Sequence, residues 1–139
     1  MILYCDTSSL VKLYAEEEGS AAVGVWVGKA DMVATCLVAL PEMISALTRR
    51  FISRDLDQDS YRRLQAAIRA DWQHLVALDF DEQLAADLAE RHSLRGFDAV
   101  HLSAALRLAT RDQLTLAFSS FDDRLNQAAK SEGLAVMSP

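Results

Sequence analysis

Four acidic residues, far apart in the 139-residue sequence, lie beside apolar segments, where carboxylates are uncommon. Asp6 and Asp122 follow apolar runs typical of buried strands, and Glu42 and Asp98 lie near the starts of two helical patterns. If these carboxylates meet, their repulsion requires cations to neutralise them. Oxygen ligands of this kind favour Mg²⁺ or Mn²⁺. Such a cation activates water and stabilises charge on a phosphoryl group, which predicts phosphoester hydrolysis.

For Asp98, a structural role explains the position as well as a metal-ligand role does. It stands in the first turn of a helical pattern that is apolar on most of its circumference. An acid there stabilises the positive end of the helix dipole by about 0.3–1 kcal/mol. Gly96 would let the backbone before this helix turn tightly. The comparable positions of the other acids favour a ligand role for Asp98.

The elements that must position these acids predict a three-layer α/β/α fold with a central, mainly parallel sheet. Short apolar segments alternate with helical patterns, which favours parallel strands covered on both faces. The predicted strands are residues 2–5, 32–35, 75–78, 114–118 and 134–137. The predicted helices include residues 37–51, a helix capped by Asp57 or Asp59, and a helix capped by Asp81. Ligands bind beyond the carboxyl ends of parallel strands, where Asp6 and Asp122 fall.

Length and composition predict one domain, residues 1–139, with a single core. Hydrophobic residues make up 51% and charged residues 24%, as in soluble globular proteins. Cys5 and Cys36 match no zinc or disulfide pattern. The chain starts without a basic leader, and its apolar runs fall short of the roughly 20 residues of a membrane span. We therefore expect a cytoplasmic protein that does not bind membranes.

The formal net charge of −6 ordinarily counts against a nucleic-acid partner. Bound divalent cations would make the loaded protein less negative, which weakens this objection. Arginines also gather in the middle of the chain, where exposed helix faces explain most of them. They are Arg49, Arg50, Arg54, Arg62, Arg63 and Arg69.

The order and spacing of the acidic motifs resemble those of a known family. The motifs are Asp6-Thr7-Ser8, Glu42 in a helix that ends in Arg49-Arg50, Gly-Phe-Asp-Ala-Val-His-Leu at 96–102, and Ser-Phe-Asp-Asp-Arg-Leu at 120–125 ahead of Gly133-Leu134. Across essentially the whole chain they are similar to those of PIN domains. Within that family, the chain is most similar to the VapC toxins of bacterial toxin–antitoxin pairs.

This resemblance implies that Asp6, Glu42, Asp98 and Asp122 bind metal and are catalytic, with Ser8 and Ser120 as polar neighbours. Ser120 stands where many members of the family have Thr, which keeps the hydroxyl. A second acid, Asp123, follows Asp122. Asp122 is favoured as the ligand because it is in register with Ser120 and Leu125.

The resemblance also implies an activity and partners. The activity is that of an endoribonuclease, in which Mg²⁺, or Mn²⁺ as a substitute, activates the water that cleaves RNA. The partners are a second copy of the chain, forming a homodimer, and a small VapB-type antitoxin whose C-terminal segment wraps the toxin. Leu13, Tyr14 and Trp26 are predicted to be exposed and to suit an amphipathic antitoxin helix. We expect a basic antitoxin side chain to enter the acidic site and displace metal.

Two other functions remain open alternatives. A non-catalytic PIN-like binding module would be expected to lack one of the acids. A phosphotransfer domain of receiver or haloacid-dehalogenase type would need a lysine near Asp6, and the lysines are Lys12, Lys29 and Lys130.

Four further residues have both a structural and a functional interpretation. Lys12 is expected to be a solvated lysine, although it could approach a phosphate. His101 could face the site, but a hydrogen-bonded core histidine explains it better. Trp26 and Trp72 are explained as packing residues or as part of a partner interface.

Overall fold

The computed structural model describes residues 1–112 and 115–139, which contain a five-stranded sheet. The strands pair in the order β3-β2-β1-β4-β5, and every pairing is parallel. This confirms the predicted parallel α/β fold. The strands are β1 (Ile2–Cys5), β2 (Met32–Cys36), β3 (Val76–Leu78), β4 (Leu116–Ser119) and β5 (Ala135–Val136).

Seven helices alternate with these strands in the described ranges. A single 3₁₀ turn, Val11–Leu13, continues the first of them. The helices are α1 (Thr7–Leu10), α2 (Ser20–Lys29), α3 (Ala39–Ile52), α4 (Gln58–Trp72), α5 (Glu82–His92), α6 (Gly96–Asp112) and α7 (Asp123–Ser131).

Acidic residues begin several of the helices by binding free backbone N–H groups. The Asp57 carboxylate accepts a hydrogen bond from Ser60 N at 2.7 Å and so begins α4. Asp81 begins α5 in the same way, through Leu84 N at 3.0 Å. The structure thus selects Asp57 over Asp59, which lies in the first turn of α4.

Two layers of helices cover the two faces of the sheet. Alternate residues of a strand point to opposite faces, and β1 shows this clearly because all of its residues are buried. Tyr4 packs in a core that includes Leu88 of α5 and Leu102 of α6. Leu3 packs in a second core with Met43 of α3 and Ile68 of α4. The fold therefore has the predicted three layers.

The strand order of the sheet reverses at β1. From β1 the chain adds β2 and β3 on one side, and it later adds β4 and β5 on the other. Ligand sites in open parallel sheets lie at such a switch point, beyond the carboxyl ends of the strands. Asp6 follows β1 and Asp122 follows β4 by three residues, so both acids lie at this point.

Some local predictions differ from the structure. The backbone turns tightly before α6, as expected, but the positive φ, 53°, is at Ser93 and not at Gly96, which is the first residue of α6. The start of the predicted strand 114–118 falls outside the described residues. At the other end, β4 continues to Ser119. None of the helices in residues 1–112 and 115–139 is long and apolar enough to cross a membrane.

Candidate active site

The four predicted acids line one cavity at the carboxyl edge of the sheet. Its volume is about 290 Å³. Asp6 reaches it from the end of β1, Glu42 from α3, Asp98 from α6 and Asp122 from the start of α7. The remaining lining residues are Thr7, Ser8, Arg95, His101 and Phe121. The fold therefore brings together the acids that the sequence singled out.

Asp6 is the most rigidly held of these acids. Its Oδ1 accepts hydrogen bonds from Ser9 N at 3.0 Å and from the Ser8 hydroxyl at 2.7 Å, and its Oδ2 accepts one from the Ser120 hydroxyl at 2.6 Å. Burial raises the pKa of Asp6, although the bonds from Ser120 and Ser8, and the charge of His101 when its ring is protonated, act in the opposite direction. A positive charge in the cavity would therefore favour the ionised form.

Glu42 lies in the first turn of α3 and is held through one oxygen. Thr7 Oγ1 donates to Glu42 Oε1 at 2.8 Å, and His101 Nε2 lies 2.8 Å from the same oxygen. Burial acts to raise the pKa of Glu42, but the hydrogen bonds from His101 and Thr7 outweigh it and hold that pKa below its ordinary value. Glu42 is therefore a carboxylate near neutral pH.

His101 connects Glu42 to the centre of the sheet. Its ring is 2% exposed, and its Nδ1 lies 2.9 Å from the Tyr4 hydroxyl. Burial raises the pKa of Tyr4, which keeps that hydroxyl protonated and able to donate. Because a carboxylate accepts, Nε2 carries the proton shared with Glu42, and in the neutral ring Nδ1 accepts from Tyr4. His101 is a buried core histidine, as the structural interpretation expected, and it also contacts the site.

Arg95 joins the other two acids, although it is not among the site residues predicted from the sequence. Its Nε lies 2.9 Å from Asp98 Oδ2, and its Nη2 lies 3.1 Å from Asp122 Oδ2. Asp122 Oδ1 accepts from Leu125 N at 2.8 Å and begins α7. Arg95 precedes Asp98 by three residues, a spacing at which helical side chains interact, and this was the available signal.

The structure bears on two ambiguities in the sequence. Asp98 lies in the first turn of α6, where it suits the helix dipole, but its hydrogen bond is to the Arg95 side chain. Asp122 lines the cavity, whereas Asp123 is the exposed first residue of α7. Position therefore favours Asp122 over Asp123 as a ligand.

Lys12 differs from its expectation. The predicted solvated lysine is wrong, because its side chain is 11% exposed and its Nζ lies 2.8 Å from Glu17 Oε1. The same ammonium lies 4.3 Å from the centre of the Phe121 ring. Trp26 also stacks on Phe121, at 6.4 Å between ring centres. Lys12 thus stabilises the loop after β4 by packing.

The residues predicted to form an antitoxin groove are unequally exposed. Leu13 is exposed, whereas Tyr14 and Trp26 are half-buried and pack against the core. The Tyr14 hydroxyl donates to Asp71 at 3.0 Å. The expectation that all three are exposed is therefore wrong for Tyr14 and Trp26. Trp72, also half-buried, packs against the same core.

The donor set of the cavity fits a hard divalent cation, because it consists of carboxylates with neighbouring hydroxyls. Within residues 1–112 and 115–139, however, no three His, Cys, Asp or Glu side chains are already arranged to hold a metal ion. The Arg95 guanidinium, itself a cation, lies between Asp98 and Asp122. A metal ion bound through Oδ2 of both acids would therefore take the place of the Arg95 guanidinium.

A family model for the PIN domain matches residues 3–131 of the chain. The chain belongs to the PIN domain family. The predicted family is thereby confirmed, and the sheet topology described above agrees with it. Metal binding by the four acids of this PIN domain stays a prediction.

This PIN domain is similar over nearly its whole length to VapC proteins of Mycobacterium tuberculosis. It is 33% identical to Ribonuclease VapC49, covering 97% of this chain and 94% of that protein. It is 34% identical to Ribonuclease VapC46, covering 99% and 97%. The solved structure of VapC20, described as a sarcin-ricin loop cleaving toxin, matches with a TM-score of 0.63 at 18% identity and covers 99% of both chains. The two sequence matches confirm the predicted VapC resemblance, and the structural match supports the fold.

Proposed function

We propose that residues 1–139 form a single PIN domain that acts as the toxin of a VapBC-type pair and as a Mg²⁺-dependent endoribonuclease. One observation carries the proposal. Asp6, Glu42, Asp98 and Asp122 line one cavity in a chain that is similar over its length to proteins named Ribonuclease VapC. Mn²⁺ is expected to substitute for Mg²⁺, because both accept oxygen ligands.

The chain's own residues prepare the carboxylates for a cation. Three hydrogen bonds fix Asp6 in place. Thr7 and His101 both bind Oε1 of Glu42, so Oε2 is the oxygen that we assign to the cation. Asp98 and Asp122 would complete the ligand set once Arg95 has moved. The chemistry that the cation supplies when bound is activation of water and stabilisation of charge at the phosphate.

A second cavity, which adjoins the first, is the surface that we assign to the RNA strand. It has a volume of about 530 Å³ and shares Thr7, Ser8 and Glu42 with the acidic cavity. Arg49 lines it and supplies a positive charge for a phosphate. Phe97, which is 59% exposed, also lines it and offers a face on which an unpaired base can stack.

The partners follow from the same proposal. We assign a VapB-type antitoxin and a second copy of the chain, as in a homodimer. The contacts of Arg95 with Asp98 and Asp122 support the first partner, because they demonstrate that a guanidinium fits between these acids. A basic side chain of the antitoxin would meet the same oxygens and would compete there with a metal ion.

The alternative functions fit the site less well. A phosphotransfer domain needs a lysine at the site, but Lys12 is paired with Glu17 and packed on Phe121. Lys29 and Lys130 lie in the last turns of α2 and α7, at the opposite edge of the sheet. A non-catalytic module would be expected to lack an acid, whereas all four line the cavity.

Cleavage of RNA by the purified protein tests the proposal. We expect labelled single-stranded RNA to be cut with Mg²⁺ or Mn²⁺, to stay intact in excess EDTA, and to be cut again when Mg²⁺ is restored. Asp98→Asn, purified in the same way, controls for a contaminating nuclease. Equal cleavage in EDTA, or by Asp98→Asn, would overturn the proposal.

A further inference from the structure

Arg95 provides the positive charge beside two of the four acids in the site. Its Nε contacts Asp98 and its Nη2 contacts Asp122, each through Oδ2 of the carboxylate. Asp6 and Glu42, by contrast, are held by hydroxyls, a backbone N–H and His101. The cavity therefore has a rigid half around Asp6 and Glu42 and a half that is held by an arginine side chain.

The Arg95 side chain is free to leave while its backbone stays in place. Its carbonyl oxygen accepts the first hydrogen bond of α6, from Ala99 N at 3.0 Å, which fixes the backbone. The side chain is 78% exposed, and exposed ion pairs contribute little stability because water screens them. Arg95 also lines a neighbouring cavity of about 630 Å³ with Phe97 and Val100. The guanidinium thus has room to swing away from both acids.

We propose that Arg95 is a built-in counter-cation that a divalent cation displaces from Asp98 and Asp122, and that the released guanidinium then binds a phosphate of the RNA. This inference rests on the proposed function and assigns a further residue to it. A guanidinium binds phosphate and carboxylate oxygens with the same planar fork of donors. The exchange therefore replaces one anionic partner of Arg95 by another.

The proposal predicts opposite effects of Arg95→Ala on two binding equilibria. Without the competing guanidinium, Mn²⁺ should bind tighter, by about 1.5- to 5-fold, the range expected for an exposed ion pair. RNA should bind more weakly, by about 5- to 10-fold, because one phosphate contact is lost. A residue that only stabilises the fold would not strengthen one ligand and weaken the other.

The experiment measures each equilibrium in the intact protein. Mn²⁺ affinity is measured without RNA by electron paramagnetic resonance. RNA affinity is measured by fluorescence anisotropy of a labelled single-stranded oligonucleotide in Ca²⁺, with gels to verify that the RNA stays intact. Arg91→Ala is the matched control, since it removes an equal charge and an ion pair, with Glu132, outside the cavity. We expect this control to bind both ligands like the wild type. Arg95→Lys, which keeps the charge without the fork, should fall between Arg95→Ala and the wild type.

A direct measurement follows the guanidinium itself. The NMR resonance of the Arg95 Nε–H group is assigned by its loss in Arg95→Lys. In the wild type, this resonance should shift when Mg²⁺ is added, because the hydrogen bond to Asp98 breaks. Unchanged Mn²⁺ affinity in Arg95→Ala, or an unmoved Nε–H resonance, overturns the displacement. Unchanged RNA affinity overturns the phosphate contact. If neither the wild type nor Arg95→Ala binds Mn²⁺, the proposed function itself fails, which separates the two failures.

Discussion

His101 Nε2 lies 2.8 Å from Glu42 Oε1, and Nδ1 of the same ring lies 2.9 Å from the Tyr4 hydroxyl. These contacts join an acid in the cavity to the buried central strand. Groups that hold the outer side of a metal ligand fix its orientation and tune its affinity. His101 is therefore expected to position Glu42 for a cation without touching the cation itself.

A pair of substitutions at His101 tests this role. Gln places its amide nitrogen near the position of Nε2, so His101→Gln retains a hydrogen-bond donor for Glu42. The shorter Asn side chain in His101→Asn retains the contact with Tyr4 but loses the hydrogen bond to Glu42. Loss of such an orienting contact costs about 10- to 100-fold in metal affinity. We expect His101→Asn to bind Mn²⁺ weaker by this factor and His101→Gln to bind it closer to the wild type. Equal affinities in the two variants would contradict a positioning role.

The pattern of the sequence predicted the strands and the helix caps, because each depends on residues near one another in the chain. The buried run at β1 and the Asp81 cap are of this kind. The pattern also placed Asp6 and Asp122 at one edge of the sheet, because each follows a predicted strand. Contacts between distant side chains were missed. Arg95 and Asp122 are 27 positions apart, and His101 and Glu42 are 59 apart. Local periodicity carries no information about such pairs, and a long exposed arginine leaves no apolar pattern.

The metal-free stability of the protein should depend on pH through Asp6. Burial raises the pKa of Asp6 above its ordinary value of 3.8. The folded protein thus retains a proton at Asp6 at pH values where the unfolded chain has released it. By linkage, the contribution of Asp6 to the free energy of unfolding is highest below pH 3.8 and falls as pH rises through the raised pKa.

Asp6→Asn removes this titration and is the reference for the measurement. Urea unfolding in EDTA, over a pH range of about 4 to 8, should show the wild type losing stability relative to Asp6→Asn as pH rises. Mg²⁺ should restore stability to the wild type alone, because binding to the folded state stabilises it. A pH-independent difference between the two proteins in EDTA would show that burial does not disfavour the Asp6 charge.

Asp98→Asn distinguishes the proposed ligand role of Asp98 from a structural role at the helix terminus. Because changes outside the ligand set already cost about 10- to 100-fold, loss of a ligand should lower RNA cleavage at least about 100-fold. The substitution also removes the ion pair with Arg95, which contributes little stability because water screens the exposed guanidinium. Calorimetry in EDTA should therefore detect a small change in melting temperature. A large drop without metal would instead support a structural role.

Antitoxin and metal should compete for the same carboxylates. Arg95 demonstrates that a guanidinium reaches Asp98 and Asp122, and a basic antitoxin side chain at these acids would exclude a cation from them. Coupling between two ligands is reciprocal, so Mg²⁺ should weaken antitoxin binding by the factor by which antitoxin weakens Mg²⁺ binding, typically about 5- to 150-fold. Calorimetric titration with the cognate antitoxin across Mg²⁺ concentrations, at fixed ionic strength, measures this factor. Asp98→Asn, which should weaken metal binding, is the control and should reduce the Mg²⁺ dependence. An antitoxin affinity that does not change with Mg²⁺ in the wild type would contradict competition for these carboxylates and would favour inhibition at a surface outside the acidic site.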